Sequence, residues 1–294
     1  MAGLVPIDYA AGALGSGRGS IFSRTLVPEG PGAGRPLFTV GKMGISPEKG
    51  SAAMIEMVHV SKAYEDNPNA LFDITLRVEK GQFIYLLGSN GAGKTTLFKL
   101  LYAAERPTAG KIRVNGFEVS RLKPRKVPRL RRTLGLVFQD LKLLPRRTAV
   151  ENIAFALEVL GTERNEVIRK TTQALRWVGL ERRGNCLPSQ LSAGEQQRLA
   201  IARAVVNDPV LLLADEPTGN LSINAAEEII RLFEKINLRG TTVVLATHNE
   251  GLVAAWPKEK VVLEQGKLLT ASTPPPLTGG ERPVRTGGRV FQGG

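Results

Sequence analysis

Gly88-Ser89-Asn90-Gly91-Ala92-Gly93-Lys94-Thr95-Thr96 decides how the rest of the chain is read. Gly88, Gly93, Lys94 and Thr95 satisfy the pattern G-x-x-x-x-G-K-[ST], a phosphate-binding loop. Residues 82–87 before it read as a strand, and residues 95–104 after it as a helix. The glycines let successive backbone N–H groups curl around phosphate oxygens, and the following helix presents its positive dipole end. Lys94 would neutralise the β and γ phosphates of a nucleoside triphosphate. The Thr95 hydroxyl would ligate Mg²⁺, and Thr96 would add a contact to the α or β phosphate.

A second motif completes the first. The apolar run 211–214 leads into Asp215-Glu216. Such a strand delivers Asp215 at its C-terminal end, where the carboxylate can hold Mg²⁺ through water. Glu216 then points toward the γ-phosphate and can polarise an attacking water, a service typically worth about 10²–10⁴-fold in rate. Ser192 and Glu195 stand at the S-x-x-E spacing of a helix capping box. The helix terminus so fixed is itself a site for an anion.

Leu191-Ser192-Ala193-Gly194-Glu195, followed by Gln196-Gln197-Arg198, resembles the signature of the ATP-binding-cassette ATPases, and the resemblance extends over residues 54–270. It implies an ATPase that works as a head-to-tail homodimer with composite ATP sites. Ser192 and Gly194 of one copy would cover ATP held by residues 88–96 of the other. It also implies roles for single residues. Gln139 would sense Mg²⁺ and the γ-phosphate and face a membrane partner, His248 would hydrogen-bond the γ-phosphate, and Tyr64 would stack on adenine. Glu216, His248 and Gln139 form the expected catalytic set, with Thr95, Gln139 and Asp215 around Mg²⁺. Two residues depart from the family pattern. Ala193 replaces a glycine of the signature, and Ser222 stands where an aspartate usually couples the two sites. Slow turnover is the expectation.

Residues 60–64, 105–110, 131–132, 138–140, 143–144, 147–150 and 202–207 resemble the branch of the family that serves bacterial cell division. That resemblance implies an FtsX-like integral membrane subunit as partner, regulation of cell-wall hydrolysis as output, and a peripheral place on the cytoplasmic face of the inner membrane. Residues 215–221 are shared with lipoprotein-release and macrolide-export ATPases, which leaves an export ATPase as the alternative.

The fold class expected is α/β: a P-loop NTPase (RecA-like) core with a mainly parallel sheet, an antiparallel β subdomain and a helical subdomain. Alternation of Phe72, Ile74, Leu76 and Val78 with polar residues marks a half-buried strand. Asn115-Gly116 signals a hairpin turn. Residues 148–180 carry helical apolar spacing, residues 210–214 and 242–246 read as strands buried on both faces, and 261–269 as a final hairpin. Residues 1–53 hold eleven of the 32 glycines and five of the 18 prolines, and 271–294 hold six and four more. Both ends are expected to be disordered, with Met54 a candidate natural start and 54–270 the ATPase domain.

A net charge of +13 invites a polyanionic partner. Arg121, Lys123, Arg125, Lys126, Arg129, Arg131 and Arg132 place seven cations among twelve residues that hold no acid. The run reads as a solvated face, as a contact with anionic lipid headgroups or an acidic partner loop, or as a nucleic-acid contact. Pro124 and Pro128 argue against one long basic helix, and the lack of an aromatic residue argues against direct nucleic-acid binding. Cys186 is the only cysteine, so no intramolecular disulfide can form. His59, in the first strand, is expected to be structural.

Overall fold

The structure, a computed structural model, describes residues 53–272. The expectations for 1–52 and 273–294 lie outside the described residues, while Ala53 opens the first strand and Ala271 and Ser272 close the last. In chain order the first elements are β1 (Ala53–Lys62), β2 (Leu71–Glu79), β3 (Phe83–Leu87), α1 (Lys94–Leu101), β4 (Ala109–Val114) and β5 (Phe117–Glu118). Then come α2 (Val127–Arg131), β6 (Leu134–Val137), α3 (Ala149–Glu158), α4 (Arg164–Trp177) and α5 (Ala193–Val205). The chain continues with β7 (Leu211–Asp215), α6 (Ile223–Asn237), β8 (Thr242–Thr247), α7 (Glu250–Ala255), β9 (Glu259–Glu264) and β10 (Lys267–Ser272).

Two sheets result. One is antiparallel with strand order β2-β1-β4-β5, and the other runs β10-β9-β3-β8-β7-β6. Within the second, β9, β3, β8, β7 and β6 are parallel and β10 is an antiparallel edge. Every residue of β3, β7 and β8 is buried, which is why they read as unbroken apolar runs. Their side chains divide with period two between two cores. Phe83, Tyr85, Leu212, Ala214, Val243 and Leu245 pack toward the helical side with α3, α4, α5 and α6. Ile84, Leu86, Leu211, Leu213, Val244 and Ala246 pack toward α1 and the antiparallel sheet. The fold class expected from the sequence is the one observed.

One strand departs from its expected pattern. Leu71, not Phe72, fills the core beside Ile74, Leu76 and Val78, and Phe72 is 49% exposed. The reason is a bulge. Asp73 adopts φ 52, the pairing of β1 with β2 slips between Val60 and Lys62, and the slip turns Phe72 outward. Its ring lies instead under the Lys267 ammonium, 5.2 Å from the centroid. His59 serves this irregular stretch from the surface rather than the core, its Nδ1 lying 2.7 Å from Asp73 Oδ1. The helix expected over 95–104 ends at Leu101, because Ala103 turns into the left-handed region. The region 148–180 breaks into α3 and α4 at a loop holding Gly161, where φ is 74°.

Candidate nucleotide site

The loop after β3 is pinned at both ends. Gly88 donates its N–H to the Thr247 carbonyl at the end of β8, and Gly266, in the β9–β10 turn, donates to the Ala92 carbonyl. No side chain fits at two places. A Cβ at Gly88 would lie 2.3 Å from the Leu263 oxygen, and one at Gly93, where φ is 108°, would lie 2.8 Å from the Ala70 oxygen. The backbone from Gly88 through Gly93 is thus a closed curl that opens onto the N-terminus of α1, with Ser89, Asn90 and Gly91 exposed at its tip and Ala92 buried beneath.

Lys94 folds back over this curl. Its ammonium donates to the Gly88 carbonyl at 2.7 Å and the Ser89 carbonyl at 3.1 Å, and stands 3.1 Å from Glu216 Oε1. Glu216 also lies 2.9 Å from His248 Nδ1, so one carboxylate oxygen meets two nitrogens. The Glu216 side chain is only 7% exposed, yet neither of its oxygens is aligned for a hydrogen bond with either nitrogen. A buried carboxylate with unmet acceptor capacity is costly unless a donor arrives. Its backbone carries the same signature of tension: φ is 46°, held by an N–H bond to the Ala246 carbonyl at 3.0 Å.

Thr95 donates its hydroxyl to Asp215 Oδ2 at 2.8 Å. Burial pushes the Asp215 carboxyl above its usual range, and neighbouring Glu216 adds to the rise. The Thr95 bond and the Lys94 charge pull the other way. Two hard oxygens in contact at the mouth of the loop suit Mg²⁺, an ion that takes one or two protein ligands and completes its shell with phosphate oxygens and water. The residues present therefore fit the ion.

Other candidates stand further out. Gln139 emerges, exposed, two residues beyond β6, and the register of Val137 opposite Ala214 puts it at the same sheet end as Asp215. Tyr64 follows β1 half-buried, with the Lys62 ammonium 4.6 Å from its ring centroid. Burial, then Glu105, pushes its phenol up, while the neighbouring Thr96 side chain lowers it. The phenolic oxygen itself is buried without a well-aligned partner. Ser192 caps α5, accepting the Glu195 N–H at 3.3 Å while its own N–H reaches Glu195 Oε2 at 2.9 Å. Ser192 is exposed, and Gly194 lies beside Ala225 of α6. Within one copy the structure thus joins Lys94, Thr95, Asp215, Glu216 and His248. Among the described residues, no hydrogen bond or ion pair ties Ser192, Gly194 or Gln139 to that cluster.

Ser222 caps α6, accepting the Ala225 N–H at 3.4 Å. Serine caps a helix as well as aspartate does, so the departure keeps the local structure and removes only a charge. In the sequence, Arg203 figures only within the resemblance over 202–207, with no role of its own. From α5 its guanidinium donates to the Lys142 carbonyl at 2.6 Å and the Leu141 carbonyl at 2.7 Å. Both residues are left-handed, φ 47 and 57, and follow closely on Gln139.

With this geometry established, residues 71–219 match the ABC transporter family model. The chain belongs to the ABC transporter family. It is similar to the cell division ATP-binding protein FtsE of Mycobacterium tuberculosis, 48% identical over 217 residues that cover 74% of this chain and 94% of that one. The FtsE of Escherichia coli K12 is 47% identical over 73% of this chain and 97% of its own, and that of Bacillus subtilis 45% over 74% and 95%. Among solved structures, a dimeric ATP-binding cassette in a post-hydrolysis state, bound to ADP and Pi, aligns with a TM-score of 0.68. It is 32% identical, with 75% of this chain and 98% of that one covered.

Proposed function

We propose that this chain is the ATP-binding and hydrolysing subunit of a membrane-associated complex of the FtsE–FtsX cell-division type. The observation that carries the chemistry is the joined cluster in which Lys94 and His248 converge on the unsatisfied, buried Glu216 carboxylate. The likeness to FtsE proteins over 94–97% of their lengths supports the cell-division branch over the export branch.

In this reading the loop N–H groups cradle the phosphates and Lys94 neutralises the β and γ oxygens. Mg²⁺, held by Thr95 and Asp215 with Gln139 near the same end of the sheet, would neutralise further phosphate charge. Glu216 accepts a proton from the attacking water as the new oxygen–phosphorus bond forms and the bond to the β-phosphate oxygen breaks. His248 keeps the carboxylate aimed and reaches the γ-phosphate with its exposed edge. Tyr64 supports the base. Ser192 and Gly194 of a second copy close the site, and Ala193 with Ser222 set a slow turnover. Closure of the two copies then moves an FtsX-like membrane subunit from the cytoplasmic face of the membrane. Among the described residues no helix is long and apolar enough to cross a membrane.

Steady-state ATPase assays on wild type and Glu216→Gln test the chemistry. The variant should bind ATP and lose about 10²–10⁴-fold in kcat; equal rates would overturn the assigned base. Purification from detergent-solubilised cells tests the branch. Recovery of an FtsX-like protein is expected, and recovery of an export permease instead would refute it.

A further inference from the structure

The basic run between β5 and β6 plays no part in the site above. Val119, Leu122 and Leu130 anchor it in the core beside α1 and the antiparallel sheet. Three short turns carry the rest, fixed by backbone bonds from Leu122 to Val119, Lys126 to Lys123 and Arg132 to Pro128. Arg121, Lys123, Arg125, Lys126, Arg129 and Arg132 all project into solvent. Lys123, Arg125, Lys126 and Arg129 have no ion-pair partner among the described residues, and Arg121 has only Glu118, at 3.9 Å. A rigid backbone therefore gathers like charges with almost no internal compensation.

We infer that this face, residues 119–132, docks on the anionic headgroups of the lipid bilayer. Three observations select that occupant. The cations are spread over successive short turns broken by Pro124 and Pro128, so the run forms no long basic helix to enter the groove of a duplex. No aromatic side chain is present in the run to stack on a base. The third is position. Arg131, at the end of α2, donates to the Tyr102 and Ala103 carbonyls and covers the Tyr102 ring, 5.9 Å from its centroid. Tyr102 in turn meets Phe138 edge-on at 6.2 Å, next to Gln139. The basic face is thus continuous with the segment after β6 that carries Gln139, the residue expected from the resemblance to face the membrane partner, a placement that rests on the proposed function. Long Lys and Arg stems let the charges reach headgroups while the anchored turns stay on the protein.

Vesicle flotation of the full chain tests this, using phosphatidylcholine alone and phosphatidylcholine with about one quarter phosphatidylglycerol. Each basic residue near an anionic leaflet adds about fivefold to binding. Wild type should float with the anionic vesicles only, and release as salt rises. Combining Lys123→Gln, Arg125→Gln, Lys126→Gln and Arg129→Gln should weaken that binding by roughly 600-fold and leave the ATPase rate in solution unchanged. Neutralising four exposed cations elsewhere, Arg164, Arg176, Arg182 and Lys235, should weaken it far less. The proposal fails if the first variant floats like wild type, if both vesicles bind equally, or if wild type binds neither vesicle and the run is needed only to retain an acidic protein partner. An inactive ATPase that still floats in this pattern would strike the proposed function and leave the docking face standing.

Discussion

Glu216 holds a left-handed backbone at φ 46 and a nearly buried carboxylate, two features that are each costly in isolation. A non-glycine residue so placed costs about 1–3 kcal/mol and persists where its surroundings over-determine it. Here the Ala246 carbonyl fixes the backbone and Lys94 holds the side chain. Neighbouring Asp215 has its carboxyl pushed up by burial. The folded chain therefore binds more protons than the unfolded one between the ordinary carboxyl value and the raised one, and stability of the nucleotide-free protein falls as pH rises through that window. Asp215→Asn should raise the Tm at neutral pH. The gain should vanish below about pH 4, where the carboxyl is protonated in both states; calorimetry across pH checks this, and the MgATP-induced rise in Tm should be lost. Gly93→Ala puts a methyl 2.8 Å from the Ala70 oxygen at φ 108. Urea unfolding should show a loss of about 1–3 kcal/mol, accompanied by failure to bind ATP. These residues were legible in the sequence because each motif is short and its chemistry demands particular side chains. Phe72 was misplaced because a bulge at Asp73 leaves no local mark in a clean alternation.

Among elements, α5 does two things at once. Its N-terminus is the serine-capped signature, and Arg203, further along it, grips the Leu141 and Lys142 carbonyls just past Gln139. A shift of this helix is therefore passed directly to the segment after β6. Charge-assisted bonds of this kind contribute about 1.5–3 kcal/mol each. Arg203→Ala should lower kcat with KM for ATP little changed, and Arg203→Lys should not restore it, since lysine lacks the planar fork whose two terminal nitrogens each meet one of these carbonyls. A KM rise with kcat intact would contradict this coupling. The sequence could not show the contact. Its partners are main-chain oxygens 61 and 62 residues away, and every residue type carries those. The parallel strands, by contrast, were readable because burial on both faces demands unbroken apolar runs.

At the scale of the whole molecule, the cluster on Lys94 and the cap on Ser192 are separate features of one copy, and in the proposed function a second copy completes the site. Ser192 is exposed, its hydroxyl and N–H engaged only with Glu195 among the described residues, and the first turn of the helix behind it presents N–H groups to an anion. The most direct test is sedimentation of Glu216→Gln, in which ATP is bound and not consumed. With saturating MgATP it should sediment as a dimer, and as a monomer without nucleotide or when Ser192→Arg is added. A Glu216→Gln protein that binds MgATP fully and still sediments as a monomer, alone and with its membrane subunit, would contradict the account.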